Sequence, residues 1–226
     1  MNDELIVVLS VAIVTYLVLS NDKAKIESMT GGSDELLNIY NQPLEACPDN
    51  QYESNGSWME GNKKCSERGG GVHQICYRDI GTNANKFSQN TGQSDWSTDR
   101  GDQNHCVCLG AWALYKKKLD EDLIDNDNST SRLKCSAIPN YAFSEEYVNK
   151  FSTWNGNEIP GQIVNGVEGI VEECLKDADA DTGKKSNLLN NYCKFAEKVS
   201  DLKYKKDVNG NFTDELNEFY KEYCGN

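Results

Sequence analysis

Nine cysteines in 226 residues constrain this chain more than any other feature. Cys47, Cys65, Cys76, Cys106, Cys108 and Cys135 fall in the first two thirds, and Cys174, Cys193 and Cys224 follow. That density is high for a reduced cytosolic protein and predicts a fold stapled by disulfides. The odd count leaves at least one thiol free or bound to another chain. The three late cysteines sit on the apolar faces of helical patterns. They read either as buried thiols or as a bridge clamping two helices.

The stretch from Cys65 to Trp112 carries four of the cysteines and both histidines. It reads Gly71-Val-His73-Gln-Ile-Cys76 near its start and His105-Cys106-Val-Cys108 near its end. His73, Cys76, His105, Cys106 and Cys108 have the ligand types of a tetrahedral zinc site, although paired C-x-x-C spacing is absent. An enzyme would use a thiol nucleophile, Cys76 or Cys106, activated by His73 or His105. The Cys-x-Cys pair also suits disulfide exchange. The plainer reading is that these cysteines bridge to Cys47, Cys65 and Cys135, with structural histidines beside them. Cys106 and Cys108, two residues apart in a strand, share a face and need different partners.

Asp177-x-Asp179-x-Asp181 resembles the start of a calcium loop. Thr182 stands where the turn glycine belongs, and Leu188 where the bidentate glutamate belongs. Asp207-x-Asn209-x-Asn211 with Glu218 fits better, but Phe212 replaces the glycine. Both read as turns with helix caps. No cofactor is predicted, with zinc or calcium as the alternatives.

The run Leu5, Ile6, Val7, Val8, Leu9, Val11, Ile13, Val14, Leu17, Val18 and Leu19 predicts an uncleaved transmembrane anchor over 1–20. It lacks the basic front and small-residue site of a cleaved signal. It is short against a hydrocarbon core of about 30 Å. Lys23 and Lys25 follow the run, which predicts a cytoplasmic-facing body. Residues 21–35 form a tether, 36–143 a cysteine-rich α+β domain, and 144–226 a mainly helical region. Short strands are expected at 72–77 and 133–138, and a strand turning into a helix over 106–119. Residues 81–104 read as a long loop pinned by Phe87 and Trp96. Ile163, Val164, Val167, Ile170, Val171 and Cys174 have helical spacing, as do Leu188, Tyr192, Ala196 and Val199.

The pattern Pro43-Leu44-Glu45-x-Cys47, Gly71-x-His73-x-x-Cys76, Phe87-Ser88, Gly92-x-x-Asp95-x-Ser97-Thr98, Gly101-Asp102, Cys106-x-Cys108 and Trp112 resembles a family of short bacterial proteins known as a domain of unknown function. The likeness covers residues 38–140 and implies a compact α+β domain with no assigned activity. His105 departs from the pattern, which has an aromatic residue there, and the anchor and helical tail have no counterpart.

A net charge of −13 argues against a nucleic-acid partner. It favours basic protein neighbours. Sequons at Asn55, Asn128 and Asn211 would suit export. The leading expectation is a non-enzymatic, membrane-anchored structural protein: a minor capsid component of a large DNA virus that links an inner membrane to the shell. The alternative is an exported or membrane-bound enzyme, or a thiol-redox or zinc protein, using the histidine–cysteine cluster. No small-molecule substrate is predicted.

Overall fold

The two histidine–cysteine segments form one antiparallel ribbon, β1 (His73–Tyr77) and β2 (His105–Cys108). In the computed structural model, residues 36–47, 63–69, 71–81, 86–124, 132–150, 153–154, 157–158, 160–199 and 214–225 are described. Residues 36–226 belong to one compact unit. The ribbon is buried on both faces, which explains its lack of clean polar alternation. Helices cover the side carrying Ile75, Tyr77 and Val107. Sulfur covers the other side, where Cys76 and Cys106 cluster with Cys47, Cys65 and Ala137.

The register contains a bulge. Ile75 pairs with Val107, Cys76 with Cys106 and Tyr77 with His105, but His73 pairs with Cys108. In unbroken register Gln74 would stand opposite Cys108. The extra residue therefore re-aims His73, a common use of a bulge beside a functional site.

Helix α1 (Phe87–Asn90) and a 3₁₀ turn at Thr98–Arg100 lie within the loop between the strands. Strand β2 runs directly into α2 (Leu109–Asp120). Its apolar side chains are buried and Lys117 and Lys118 stand in its last turn, where the helix dipole favours them. Further elements are α3 (Glu145–Lys150), the pair β3 (Thr153–Trp154) and β4 (Asn157–Glu158), α4 (Pro160–Asp177), α5 (Thr182–Val199) and α6 (Asp214–Cys224). The core centres on Tyr77, Phe87, Trp112 and Tyr115, with ring centroids 4.9 Å apart for Tyr77–Phe87 and 5.1 Å for Phe87–Tyr115. Helix α4 presses against α2 at Gly166. A Cβ there would sit 2.9 Å from that of Ala113. Trp112 Nε1 donates to the Gly166 carbonyl at 2.8 Å, satisfying a buried donor. The helical region from 144 thus shares its core with the cysteine-rich part.

Eight cysteines form four bridges: Cys47–Cys76, Cys65–Cys106, Cys135–Cys174 and Cys193–Cys224. The first two brace the ribbon. The third ties a turn to α4, and the fourth clamps α5 to α6. Cys108 is free and buried. The strand expected over 133–138 is instead a 3₁₀ turn at Cys135–Ala137, and only Leu133 bridges to Tyr77. The turn is closed by the Ala137 N–H to Lys134 carbonyl bond and by Pro139.

Asp177, Asp179 and Asp181 do not converge on an ion. Asp181 Oδ1 caps α5 by accepting the Lys184 N–H, Asp179 pairs with Lys185, and Asp177 accepts from the Tyr40 hydroxyl. Residues 207–211 and the three sequons lie outside the described residues.

The membrane expectation needs correction. Among the described residues no helix is long and apolar enough to cross a membrane. The 18-residue helices α4 and α5 are amphipathic and carry charged residues: Glu168, Glu172, Glu173, Lys176 and Asp177 in α4, and Lys184, Lys185, Lys194, Glu197 and Lys198 in α5. The expected anchor at 5–19 lies outside the described residues. The fold is accordingly a mixed helical one with small sheets, held by disulfides. The described residues do not support a single-pass membrane location.

Candidate active site

The bulge brings three groups into line. The Cys108 thiol donates to His73 Nε2 at 2.9 Å. His73 Nδ1–H donates to Glu67 Oε2, and the same oxygen accepts the His73 backbone N–H at 3.0 Å. A thiol, an imidazole and an orienting carboxylate are thus linked in the order that nucleophilic catalysis needs. The carboxylate fixes the tautomer, so Nε2 is left to accept the thiol proton.

Each member is held from behind. Glu67 comes from the loop after Cys65, which is bridged to Cys106 of β2. The bulged Gln74 buries its amide and donates to the Glu67 carbonyl at 2.7 Å and to the Tyr147 hydroxyl at 3.0 Å. Val72, just before the histidine, has φ +55°, a strained conformation for a β-branched residue. Its carbonyl accepts the Leu109 N–H at 3.2 Å, tying the loop to the start of α2. Cys108 is itself the cap residue of α2 and makes no side-chain cap bond.

Gly71 explains part of the G-x-H spacing. A Cβ there would lie 2.5 Å from His73 Cε1 and 3.1 Å from Cys108 Sγ. Gly71→Ala is expected to push the imidazole aside and slow alkylation of Cys108 by about 10–100-fold. Timed labelling with iodoacetamide checks this, with far-ultraviolet circular dichroism expected to stay unchanged.

His73 and Cys108 open on a cleft of about 280 Å³, lined also by Phe87, Gln93, Trp96, Arg100, His105 and Ala111, with Glu67 behind the histidine. Burial first, and the charge of Glu67 second, push the Cys108 thiol up to about 12. The resting sulfur is therefore protonated. Partial burial opposes the charge of Glu67, but the hydrogen bonds from His73 outweigh it and hold the carboxyl below its usual range.

His105 lines the same cleft, with its ring 5.0 Å from Trp96 between centroids. Burial, then the charges of Arg100 and His73, push it down to about 3. It is neutral in the folded protein, while the unfolded chain protonates it near the ordinary histidine value of 6.5. Its contribution to stability is therefore complete above that pH and is lost as pH falls toward 3. His105→Phe, which keeps the aromatic contact, is expected to remove a few kcal/mol of the acid-induced destabilisation. Urea unfolding at pH 7 and pH 4 measures it.

Of the five zinc candidates, Cys76 and Cys106 are bridged, which takes both out of a ligand set. His73 and Cys108 meet, and His105 lines the same cleft. The sulfurs of Cys47, Cys65 and Cys76 lie close together because two bridges run side by side. The expected nucleophile, Cys76 or Cys106, is likewise corrected: the free thiol beside a histidine is Cys108. Cys106 and Cys108 do not share surroundings, because β2 ends at Cys108 and the chain turns into the helix. Cys106 joins the sulfur cluster and Cys108 the main core. Sequence reasoning missed Glu67 and Arg100. Arg100 carried a signal, as the single Lys or Arg between Lys86 and Lys116.

Neither a protein-family model, nor a curated protein, nor a solved structure matches the chain.

Proposed function

We propose that the protein is a cysteine-nucleophile enzyme of the acyl-transfer or hydrolase class, with Cys108 as nucleophile, His73 as general base and acid, and Glu67 as the residue that positions His73. The observation that carries this reading is the aligned Cys108–His73–Glu67 chain at the wall of a cleft. Cys108 Sγ attacks a carbonyl carbon as its proton passes to His73 Nε2. The S–C bond forms and the bond to the leaving group breaks. The leaving group takes the proton from His73. Water then attacks the thioester, giving one proton to His73, and the acid leaves as the thiol regains that proton.

Of the residues carrying the bacterial likeness, His73, Phe87, Cys106 and Cys108 line this cleft. Ser88 and Ser97 hydroxyls hydrogen-bond each other at 2.8 Å, and Thr98 donates to Asp95 at 2.6 Å, holding the loop that supplies Trp96 and Arg100. The four bridges support an oxidising compartment, exported or extracellular. Nothing among the described residues adds to the expectation of a capsid scaffold, whereas the cleft adds to the enzyme alternative.

The test is acylation by p-nitrophenyl acetate followed by acid quench and intact-mass measurement. The expected result is one acetyl group, mapped to Cys108 and absent from Cys108→Ala. An unmodified protein, or an adduct that survives that substitution, would refute the reading.

A further inference from the structure

The cleft beside the thiol contains a cation that no anion among the described residues pairs with. Arg100 lines it, and its Nε is buried without a hydrogen-bond partner. Among the described residues no carboxylate pairs with its guanidinium. Its guanidinium faces Trp96, whose ring centroid lies 5.3 Å from Cζ, and its charge opposes protonation of His105 in the same cleft. In a chain of net charge −13, with 36 acidic residues to draw on, a partly buried guanidinium left unpaired is costly and calls for an occupant. The residue is also firmly placed. Its N–H bonds the Ser97 carbonyl at 3.0 Å, and the turn is pinned where Gly81 N–H meets the Gly101 carbonyl at 2.8 Å. A Cβ on Gly81 would lie 2.3 Å from the Ser97 carbonyl oxygen and from the Gly101 nitrogen, so this crossing accepts only glycine.

Resting on the nucleophile reading above, we propose that Arg100 is the specificity determinant of the site, binding a carboxylate on the substrate while Cys108 attacks a carbonyl a few bonds away. Planar, forked donors suit a carboxylate better than a point cation would. The neutral His105 ring and the Trp96 face supply the rest of the wall. A cleft of about 280 Å³ restricts the substrate to a short chain. The substrate class is therefore a small acid carrying a second, activated acyl group, such as the monothioester of a short dicarboxylic acid.

Two alkylating agents of nearly equal size separate this claim from the one beneath it. Iodoacetate carries a carboxylate and iodoacetamide does not. In the native protein iodoacetate is expected to label Cys108 faster than iodoacetamide, against the repulsion of the acidic surface. In Arg100→Gln the ratio of the two rates is expected to fall by about 10–100-fold, the range for a lost charged hydrogen bond. Arg100→Lys keeps the charge without the fork and is expected to retain part of the preference. Succinate alone should protect wild-type Cys108 from iodoacetamide, a measurement that needs no variant. Labelling by iodoacetamide without any anion preference or succinate protection would overturn the Arg100 assignment and leave the nucleophile standing. A Cys108 that reacts with neither reagent would overturn both.

Discussion

His73→Ala is expected to slow acylation of Cys108 by about 10²–10⁴-fold, the range for removing a positioned general base. The size follows from the state of the sulfur. With its ionisation pushed up to about 12, the thiol has a thiolate fraction of only about 10⁻⁵ at pH 7 without help. The imidazole 2.9 Å away removes that handicap by taking the proton during attack. A pH–rate profile separates this role from a merely structural one. The wild-type rate should level off at alkaline pH, whereas the variant's rate should keep climbing as the thiol ionises unaided. Glu67→Gln tests the positioning residue. It should cost about 10–100-fold near neutrality, as loss of an orienting partner does. It also removes a charge that raises the thiol, so the alkaline limb should move to lower pH. A loss of packing alone would move neither limb.

The second large effect concerns stability. Cys135→Ala combined with Cys174→Ala is expected to cost about 4 kcal/mol, from the closure entropy of a loop with a sequence separation of 39. For a chain of this size that corresponds to a fall in Tm of about 8–16 °C. Scanning calorimetry without reductant measures it. The bridge joins the turn before α3 to α4, and both its sulfurs are buried. Tyr40 anchors to the same place, its hydroxyl donating to the Cys174 carbonyl at 2.8 Å. Removing Cys193–Cys224 opens a loop of similar length, but only α5 and α6 are joined there. Its loss should detach α6 and move the main transition less.

These outcomes also measure how far the residues alone could be read. Helical spacing at Ile163, Val164, Val167, Ile170 and Val171 located α4, because one buried stripe on a long helix repeats a pattern that survives any tertiary context. The strand-to-helix transition after Cys106 was equally legible from the shift to Ala, Leu and Lys. Two features were not. A bulge leaves no mark in hydrophobic pattern, so the pairing of His73 with Cys108 was hidden, and a regular strand placed Cys108 beside Cys106. The disulfide map was hidden as well, since spacing does not choose among pairings. Once Cys76 and Cys106 are bridged, the thiol left over is the one facing the histidine. Glu67 could not be found from spacing either. It reaches His73 where the loop turns back at the strained Val72, whose N–H donates to the Gly69 carbonyl at 2.9 Å.

The most direct measurement is peptide mapping of the native protein after iodoacetamide labelling with no reductant. The account predicts a single label on Cys108 and the four pairs Cys47–Cys76, Cys65–Cys106, Cys135–Cys174 and Cys193–Cys224. A bridge involving Cys108, or a label on Cys76 or Cys106 in its place, would contradict it.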